Sequence, residues 1–296
     1  MTRIDHPYRG LTGGRWLRGN LHSHTTRSDG QSTPQQLIDH YAGRGYDFLA
    51  VTDHDIYTGA KEHRGWDRRR MVLLPGNEVT ANGPHIVHVG PGGYVKPDRL
   101  RQNAINRIAS GSGLAIIAHP NWTDDFDGTP IAKMTEWIGY HGVEVFNGVI
   151  GRLPGSRYAS NKWDVLLSQG RRIWGFANDD THADIDVACG WNVVYARRRS
   201  AAAILEALAL GRFYPSTGVV IRRVGVRGMR IRIETENAVR IVAVGDAGRR
   251  ITYVDGPTIE VEAPANATYI RFECWGQGEQ FAWTQPFFVR KARAAG

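Results

Sequence analysis

The sequence predicts an α/β domain followed by a small antiparallel β-sandwich. Between about residues 16 and 210, short apolar runs bounded by Gly, Pro or Asp alternate with segments whose apolar residues recur at helical spacing. Such alternation is typical of strand and helix units built on a parallel sheet, either open or closed into a barrel. After residue 218 the pattern changes to a period of two with no helical stretch, which is typical of antiparallel strands. We therefore expect two domains, 1–218 and 219–296.

Six short runs rich in β-branched and aromatic residues are the predicted strands of the first domain. They are FLAV (48–51), MVLL (71–74), LAIIA (114–118), VEVF (143–146), RIWGFA (172–177) and WNVVYA (191–196). Helices are predicted between them. Thr33 and Pro34 are suited to the N-cap and first position of a helix that ends near Gly43 or Gly45, and Asp98 opens a second helical segment.

Composition excludes several classes of protein. The chain has 296 residues, 42% of them hydrophobic, with nine Trp, eleven Tyr and nine Phe, which is too much apolar material for a disordered chain. No run approaches the roughly 18 apolar residues of a membrane span, and the first residues lack the apolar run of a signal peptide, so we expect a cytoplasmic protein. Cys189 and Cys274 have no CxxC spacing, so any metal must be bound by His and carboxylate side chains.

The net charge favours an anionic partner. It is +8, carried by 32 Arg and only 5 Lys among the 37 basic residues. A positive balance favours phosphates, nucleic acid or acidic metabolites, and by itself it does not choose among them. There is no basic tail.

The first candidate site is the segment NLHSHTTRSDG. His22 and His24 are two residues apart, so on a strand they point to the same face and can bind one ion. Asp29 lies five residues later and could serve a neighbouring ion. A His-x-His pair alone is equally typical of a surface pair or of histidines satisfied within a core.

Four further predicted strands end in side chains that bind metals. The segments are TDHD with Asp53 and His54, PGNE with Glu78 followed by His85 and His88, HP with His119, and NDDTH with Asp180 and His182. In an α/β barrel the carboxyl ends of the strands form the active-site face. We therefore expect these side chains to converge, which eleven histidines scattered at random would rarely do.

These segments resemble the ordered motifs of the polymerase and histidinol phosphatase (PHP) domain family. NLHSHTTRSDG, AVTDHD, PGNEV, IAHP and ANDDTH follow one another in the family's order, and VEVFN (143–147) matches the strand between the last two. The resemblance covers about residues 16–215 and implies a distorted seven-stranded (β/α) barrel. The segment YIRFECWGQGEQFAWTQPFFV resembles the small β-domain that follows the barrel in some stand-alone PHP phosphoesterases.

The resemblance implies two or three divalent ions, of Mn, Fe or Zn. The first ion would be held by His22, His24, Glu78 and Asp180, the second by Glu78, His85 and His119 with Glu78 bridging, and the third by Asp29, His54 and His182. His85 is preferred to His88 because it lies five residues before Gly90, although Pro84 stands where the family usually has glycine, and because His88 points to the opposite face.

Three other residues near these motifs have open interpretations. Asp53 would either orient a metal-bound histidine or cap a helix. Glu144 and Asn147 could face the pocket, but we expect them to pack at the end of their strand.

The resemblance implies hydrolysis of a small phosphomonoester or phosphodiester by attack of a metal-bridging hydroxide. Glu78, Asp180 and His182 would be catalytic. Arg27 and Arg152 are candidates to pair with the phosphate, and the alternative for each is an ordinary surface arginine. Lys162 is expected on the surface of its helix. The expected partner is a small anionic phosphorylated substrate rather than a membrane, with nucleic acid expected only as a nucleotide or short oligonucleotide; the oligomeric state stays open.

Two other functions fit the same metals. The hydroxide could attack a carboxylic ester, carbamate or amide. A third reading is an oligonucleotide exonuclease or nucleic-acid-binding protein, which the absence of a long basic tract disfavours.

Overall fold

The strand and helix units of the first 218 residues form a mixed α/β structure in the computed structural model, which describes residues 2–291. The last five residues of the predicted second domain and Met1 lie outside this range. The α-helices are α1 (Pro34–Gly43), α2 (Ala60–His63), α3 (Arg101–Ser110), α4 (Ile131–Glu136), α5 (Ser160–Ser168) and α6 (Ala201–Ala209). Short 3-10 turns cover Val149–Arg152, Asp184–Asp186 and Asp246–Gly248.

Strands account for more residues of the described chain than helices do. The strands that surround the candidate site are β2 (Arg15–Asn20), β3 (Phe48–Ala50), β4 (Val72–Leu74), β5 (Gly76–Val79), β6 (Ile86–Val89), β7 (Leu114–Ile117), β8 (Gly142–Asn147), β9 (Trp174–Asn178), β10 (Trp191–Ala196) and β11 (Phe213–Ser216). The remaining strands are β1 (Thr2–Asp5), β12 (Ile221–Arg227), β13 (Arg230–Thr235), β14 (Arg240–Gly245), β15 (Arg249–Asp255), β16 (Thr258–Glu262), β17 (Tyr269–Trp275), β18 (Phe281–Trp283) and β19 (Phe287–Lys291). All six predicted strands of the first domain are therefore strands, β3, β4 and β7 to β10.

The strands around the site form two separate arcs. In one, β2, β3 and β4 are parallel, while β10 runs antiparallel to both β2 and β11. In the other, β7, β8 and β9 are parallel, while β5, β6 and β7 are joined antiparallel. The predicted parallel sheet is thus mixed, and strand pairing between residues 2 and 291 does not close the arcs into one ring.

Side chains and single bridges join the two arcs. The Ala177 N–H of β9 donates to Asn192 Oδ1 at 3.2 Å, and Asn192 Nδ2 donates back to the Ala177 carbonyl at 2.8 Å. At the other junction, an isolated parallel bridge pairs His54 with Glu78. Further isolated bridges pair Ser23 with Thr181 and Thr58 with Gly76, so amide side chains and single bridges replace the ladders that a regular barrel would have.

Local sequence explains where the first helix begins. Thr33 Oγ1 accepts the Gln36 N–H and Gln36 Oε1 accepts the Thr33 N–H, a capping box that satisfies two backbone donors. Leu37, Ile38 and Tyr41 are buried on one face. The second predicted helix begins at Arg101 rather than Asp98, because Asp98 Oδ1 accepts the Leu100 N–H in the turn that precedes it.

Antiparallel strands after residue 218 follow the period-two pattern. β12, β13 and β16 form a three-stranded sheet, and β17 pairs with β14, β18 and β19. Two pairings cross the expected boundary, since β1 pairs with β19 and β11 pairs with β18. No helix in the described range is long and apolar enough to cross a membrane.

Candidate metal centre

The first motif brings two histidines together directly after β2. His22 and His24 are both buried, and their ring centroids are 5.1 Å apart. Their Nε2 atoms lie 3.2 and 3.0 Å from the same oxygen, Oδ1 of Asp180, which follows β9. The residues of the first and last motifs, more than 150 positions apart in the sequence, thus converge.

Glu78 of β5 lies at the centre of the cluster and is fully buried. Its Oε1 atom is 3.2 Å from His22 Nε2, 3.0 Å from His85 Nδ1 and 3.3 Å from His119 Nε2. Its Oε2 atom is 2.6 Å from His54 Nδ1. A carboxylate whose two oxygens face different imidazoles has the arrangement needed to bridge two cations.

A third group lies at the solvent side of the cluster. Asp29 Oδ2 is 3.4 Å from His54 Nε2, and Asp29 Oδ1 is 3.5 Å from His182 Nε2. The Asp29 side chain is 56% exposed, whereas Glu78 is inaccessible, so this part of the cluster faces the entrance. One ligand atom each from His24, Asp29, His54 and His182 can be chosen so that all four lie within 4.8 Å of one another.

Unpartnered buried atoms indicate that the cluster is suited to cations. Among residues 2–291, the buried atoms without a hydrogen-bond partner include His22 Nε2, both ring nitrogens of His24, and Asp180 Oδ1. Leaving such atoms unsatisfied costs about 1–3 kcal/mol each. A divalent cation would satisfy several at once, and imidazole with carboxylate suits Mn, Fe or Zn. The residues present therefore fit the ions that the motifs imply.

The protonation states of the cluster follow from burial and neighbouring charges. Burial alone would lower the pKa of His22, but the carboxylates of Asp180 and Glu144 outweigh it and raise the pKa well above its usual range. Burial alone would raise the pKa of Glu78, yet His85 and His22 outweigh it and hold the pKa well below its usual range. The carboxylate is thus ionised at neutral pH, as a ligand must be, and a cation competes with protons for the same imidazoles.

Glu144 of β8 orients the cluster, a role that the expectation of strand-end packing missed. His22 Nδ1 lies 2.8 Å from Glu144 Oε1, and Glu144 Oε2 accepts the His119 N–H at 2.8 Å. Asn147, expected to pack beside it, donates from Nδ2 to Glu144 Oε2 at 2.8 Å and to Asp180 Oδ2 at 3.2 Å. The signal in the sequence was a glutamate inside an otherwise apolar strand, because a buried carboxylate needs partners.

Asp53 supports a loop instead of orienting a histidine or capping a helix. Asp53 Oδ1 accepts the Thr25 N–H at 2.7 Å and the Ser28 hydroxyl at 2.8 Å, and the Thr25 hydroxyl donates to Oδ2 at 2.9 Å. Both expectations for Asp53 were therefore wrong. Its carboxylate instead fixes the turn between His24 and Asp29.

His88 lies away from the cluster, on the other face of β6. Its Nδ1 atom is 3.1 Å from Asn77 Oδ1 and its Nε2 atom is 3.2 Å from the Pro91 carbonyl oxygen. Burial lowers the pKa of His88 to about 4. Of the two histidines that follow Glu78, it is His85 that contacts Glu78.

The two arginines expected to meet phosphate differ in position. Arg152 lines the cavity over the cluster, and its Nε and Nη2 atoms each donate at 2.7 Å to Asp186. Arg27 does not line this cavity, and its Nη1 atom donates to Thr58 Oγ1. Asp186 Oδ2 also accepts the His182 N–H at 3.0 Å, which links Arg152 to the outer part of the cluster.

The cavity over the cluster has a volume of about 360 Å³. Its lining residues are Asp29, Gln31, His54, His85, His119, Trp122, Val149, Ile150, Arg152, Leu153, Asp180 and His182. Six of the twelve belong to the nine predicted ligands. The arrangement can therefore present a substrate to cations held by the cluster.

Lys162 is buried in α5, and the expectation that it lies on the helix surface was wrong. Its Nζ atom donates to the carbonyl oxygens of Pro120, Phe126 and Thr129 and to Asp127 Oδ1, at distances from 2.8 to 3.1 Å. These partners belong to the loop that follows His119.

Comparison with known proteins gives local sequence matches and one similar structure over nearly the whole chain. No family model matches. The chain is 42% identical over 72 residues to a 3',5'-nucleoside bisphosphate phosphatase of Chromobacterium violaceum and 36% identical over 74 residues to the 5'-3' exoribonuclease Rnm of Salmonella typhimurium. Each match covers 24% of this chain and 25% of the relative.

A crystal structure from Bacteroides vulgatus resembles this chain over both its parts. That two-domain protein, described as containing a predicted PHP-like metal-dependent phosphoesterase, has a TM-score of 0.55 and 16% identity, and the match covers 98% of this chain and 91% of that one. A likeness at this identity concerns the fold. The resemblance drawn from the five motifs is thereby confirmed: the chain shares the fold of this PHP-like protein.

Proposed function

We propose that this protein is a metal-dependent phosphoesterase that hydrolyses a small phosphomonoester or phosphodiester. The observation that carries the proposal is the position of Glu78, whose two oxygens face five histidines beside buried ring nitrogens that have no hydrogen-bond partner. The two arcs of strands around this point would correspond to the distorted seven-stranded barrel, and residues 219–296 to a separate β-domain.

Two or three divalent ions, of Mn, Fe or Zn, would be held by the nine predicted ligands. They are His22, His24, Asp29, His54, Glu78, His85, His119, Asp180 and His182. Glu78 would be shared between the two inner ions, while Asp29, His54 and His182 would hold the outer one. When bound, such ions supply an activated water at neutral pH and neutralise charge on the phosphoryl oxygens.

The protein's own residues orient the ligands. Glu144 Oε1 accepts from His22 Nδ1, which leaves the Nε2 lone pair of His22 directed at the cluster. His182 Nδ1 lies 2.8 Å from the Asp180 carbonyl oxygen, which in the same way directs His182 Nε2 towards Asp29. These two imidazoles are thus held in the tautomer that a ligand requires.

Arg152 would meet the phosphate at the entrance. Asp186 engages its Nε and Nη2 atoms, so the guanidinium plane is fixed while Nη1 stays available for a phosphoryl oxygen. Arg27 is the second candidate, although its Nη1 atom donates to Thr58. The anionic substrate would be bound here, and the protein's positive net charge would favour its approach.

A substrate screen tests the proposal. Protein loaded separately with Mn, Fe or Zn is given phosphomonoesters, phosphodiesters, nucleotides, short oligonucleotides and carboxylic esters, and phosphate or alcohol release is measured. The names of the two relatives make nucleotides and oligonucleotides the first compounds to include. We expect phosphate ester hydrolysis that chelation abolishes; hydrolysis of carboxylic esters alone, or of nothing with any metal, would contradict the proposal.

A further inference from the structure

We propose that the cavity over the cluster binds a planar, uncharged aromatic leaving group and that Trp122 is the residue that selects it. The proposal rests on the proposed phosphoesterase function and names its class of substrate. It starts from the mixed lining of the cavity. Six of the lining residues are predicted ligands, whereas Trp122, Val149, Ile150 and Leu153 are apolar.

Trp122 lies directly beside two predicted ligands. Its ring centroid is 5.0 Å from that of His119 with an interplanar angle of 83°, and 5.5 Å from that of His85 with an angle of 60°. Both contacts are edge-to-face, the geometry that aromatic pairs prefer. A group attached to a phosphoryl group bound at the cluster would therefore reach the indole within a few bonds.

The loop that carries Trp122 is held in place before any substrate binds. The backbone N–H of Trp122 donates to the His119 carbonyl at 3.0 Å, and the backbone N–H of Gly128 donates to the Trp122 carbonyl at 2.9 Å. The Lys162 ammonium group lies 2.8 to 3.1 Å from four acceptor oxygens of the loop and holds the rest of it in place. A preordered wall loses little conformational entropy on binding, which favours a rigid, flat ligand.

Three further apolar side chains line the cavity. Val149 and Ile150 belong to the 3-10 turn after β8 and are each 3% exposed, while Leu153 is 37% exposed. Together with Trp122 these side chains give the cavity an apolar surface that offers dispersion contacts to a bound ring. An aromatic ring gains such contacts at low entropic cost.

The charged side chains that line the cavity disfavour a second phosphate on the leaving group. Among the described residues that line the cavity, Arg152 is the only Lys or Arg, and Asp186 already engages two of its nitrogens. Asp29, which also lines the cavity, is acidic. A leaving group with its own phosphate would therefore find little compensation for its charge, whereas an uncharged ring would need none.

The test compares esters that differ only in the leaving group. Benzyl, cyclohexylmethyl and ethyl phosphate are all esters of primary alcohols, so differences in kcat/KM report mainly on binding of the group. For the metal-loaded protein we expect benzyl phosphate to exceed each of the other two about tenfold. A second comparison measures kcat/KM for a nucleoside 5'-monophosphate and for ribose 5-phosphate, which lacks the base. A higher value for the nucleotide would show that the ring can be a nucleobase as well as a simple aryl group.

Three variants assign the preference to Trp122. Trp122→Leu keeps apolar bulk and should lower the benzyl-to-ethyl ratio of kcat/KM about tenfold, whereas Trp122→Phe should keep the ratio within about threefold. Tyr253→Ala removes an aromatic ring that is 44% exposed on β15 and does not line the cavity, so its ratio should equal that of the parent. Calorimetric binding of benzylphosphonate and ethylphosphonate, which are not hydrolysed, gives the same comparison without turnover.

The outcomes separate this proposal from the proposed function. Three results would overturn the aromatic site while phosphoesterase activity stands. They are equal kcat/KM for benzyl and cyclohexylmethyl phosphate, a benzyl-to-ethyl ratio that Trp122→Leu does not change, and a preference for a nucleoside 3',5'-bisphosphate over the monophosphate. Absence of hydrolysis of every phosphomonoester and phosphodiester would instead overturn the proposed function, and preferential binding of benzylphosphonate would then still support the aromatic site.

Discussion

Glu144 shows how much of the candidate centre depends on a residue that is not itself a predicted ligand. Its carboxylate contacts His22 and the backbone of His119, and Asn178 Nδ2 donates to Oε1 at 2.9 Å. Histidine ligands need such acceptors because the acceptor fixes which ring nitrogen keeps its lone pair.

Glu144→Gln should weaken metal binding while the fold is retained. The amide is the same size but carries no charge to hold the His22 Nδ1–H, so we expect metal affinity to fall about 10–100-fold. Titration of chelator-treated protein with Mn or Zn measures the affinity. Glu236→Gln, at an exposed position, is the matched control; unchanged affinity in Glu144→Gln would show that Glu144 does not orient His22.

His88 should make stability depend on pH in the acid range. The unfolded chain binds a proton on His88 near pH 6.5, whereas the buried ring does so only near pH 4, so stability is full above pH 6.5 and is lost as pH falls towards 4. The loss amounts to about 2–3 kcal/mol. Urea unfolding of chelator-treated protein across this range should therefore show a smaller decrease in His88→Gln than in the parent; parallel curves would contradict the account.

At the scale of elements, the loop after β7 depends on α5. Lys162 places one ammonium group among three carbonyl oxygens and a carboxylate of residues 120–129. Trp122 lies in the same loop, so the helix and the cavity wall are connected through a single side chain.

Lys162→Met should destabilise the protein and loosen this loop. The substitution leaves buried carbonyl oxygens without a donor, at a cost of about 1–3 kcal/mol for each that water cannot reach. We expect a total loss of about 2–4 kcal/mol in the free energy of unfolding and faster hydrogen exchange in 120–129. Lys133→Met, which breaks only an exposed pair with Glu136, should cost less than about 1 kcal/mol. Equal effects of the two variants would contradict the role of Lys162.

At the scale of the whole molecule, a buried ion pair joins the C-terminal strands to α5. Arg271 of β17 donates from Nε and Nη2 to the two oxygens of Asp164, at 2.7 and 2.6 Å, and the Tyr269 hydroxyl donates to Asp164 Oδ1 at 2.7 Å. Together with the β1–β19 and β11–β18 pairings, this contact makes the two predicted domains interdependent.

Asp164→Ala should therefore destabilise the whole chain. Removing Asp164 leaves the buried Arg271 guanidinium paired only through Nη1 with Glu273, and breaking a buried ion pair in this way costs about 3–5 kcal/mol. Loss of the exposed Arg172–Asp5 pair in Arg172→Ala should cost less than about 1 kcal/mol. Chemical denaturation followed by both fluorescence and circular dichroism measures the difference, and a cost below about 1 kcal/mol for Asp164→Ala would show that the domains are not coupled here.

The sequence predicted the elements better than their arrangement. FLAV, LAIIA and WNVVYA are strands within one residue because Gly, Pro and Asp mark their ends locally. Strand direction has no local signature, so the antiparallel β10 and the β5–β6 hairpin were not foreseen. The pairing of strands across the expected boundary at residue 218 was not foreseen either, since β1 and β19 lie at opposite ends of the sequence and pair with each other.

In the candidate site, too, the residues of local motifs were predicted, whereas roles that depend on contacts distant in the sequence were not. The predicted ligands stand in recognisable motifs at strand ends. Glu144 also lies in a recognised segment, VEVFN, but its role comes from His22, which is 122 positions away, and that of Lys162 comes from residues up to 42 positions away. Burial of a polar group is decided by the tertiary fold, and no local spacing records it.

The most direct test of the account is the metal content of Glu78→Ala. If Glu78 bridges two ions at the centre of the cluster, elemental analysis of the purified variant should show at least two fewer ions per chain than the parent protein loaded in the same way. The His88→Gln variant, altered on the opposite face of β6, should keep the parent's content. Full metal content in Glu78→Ala would contradict the central claim.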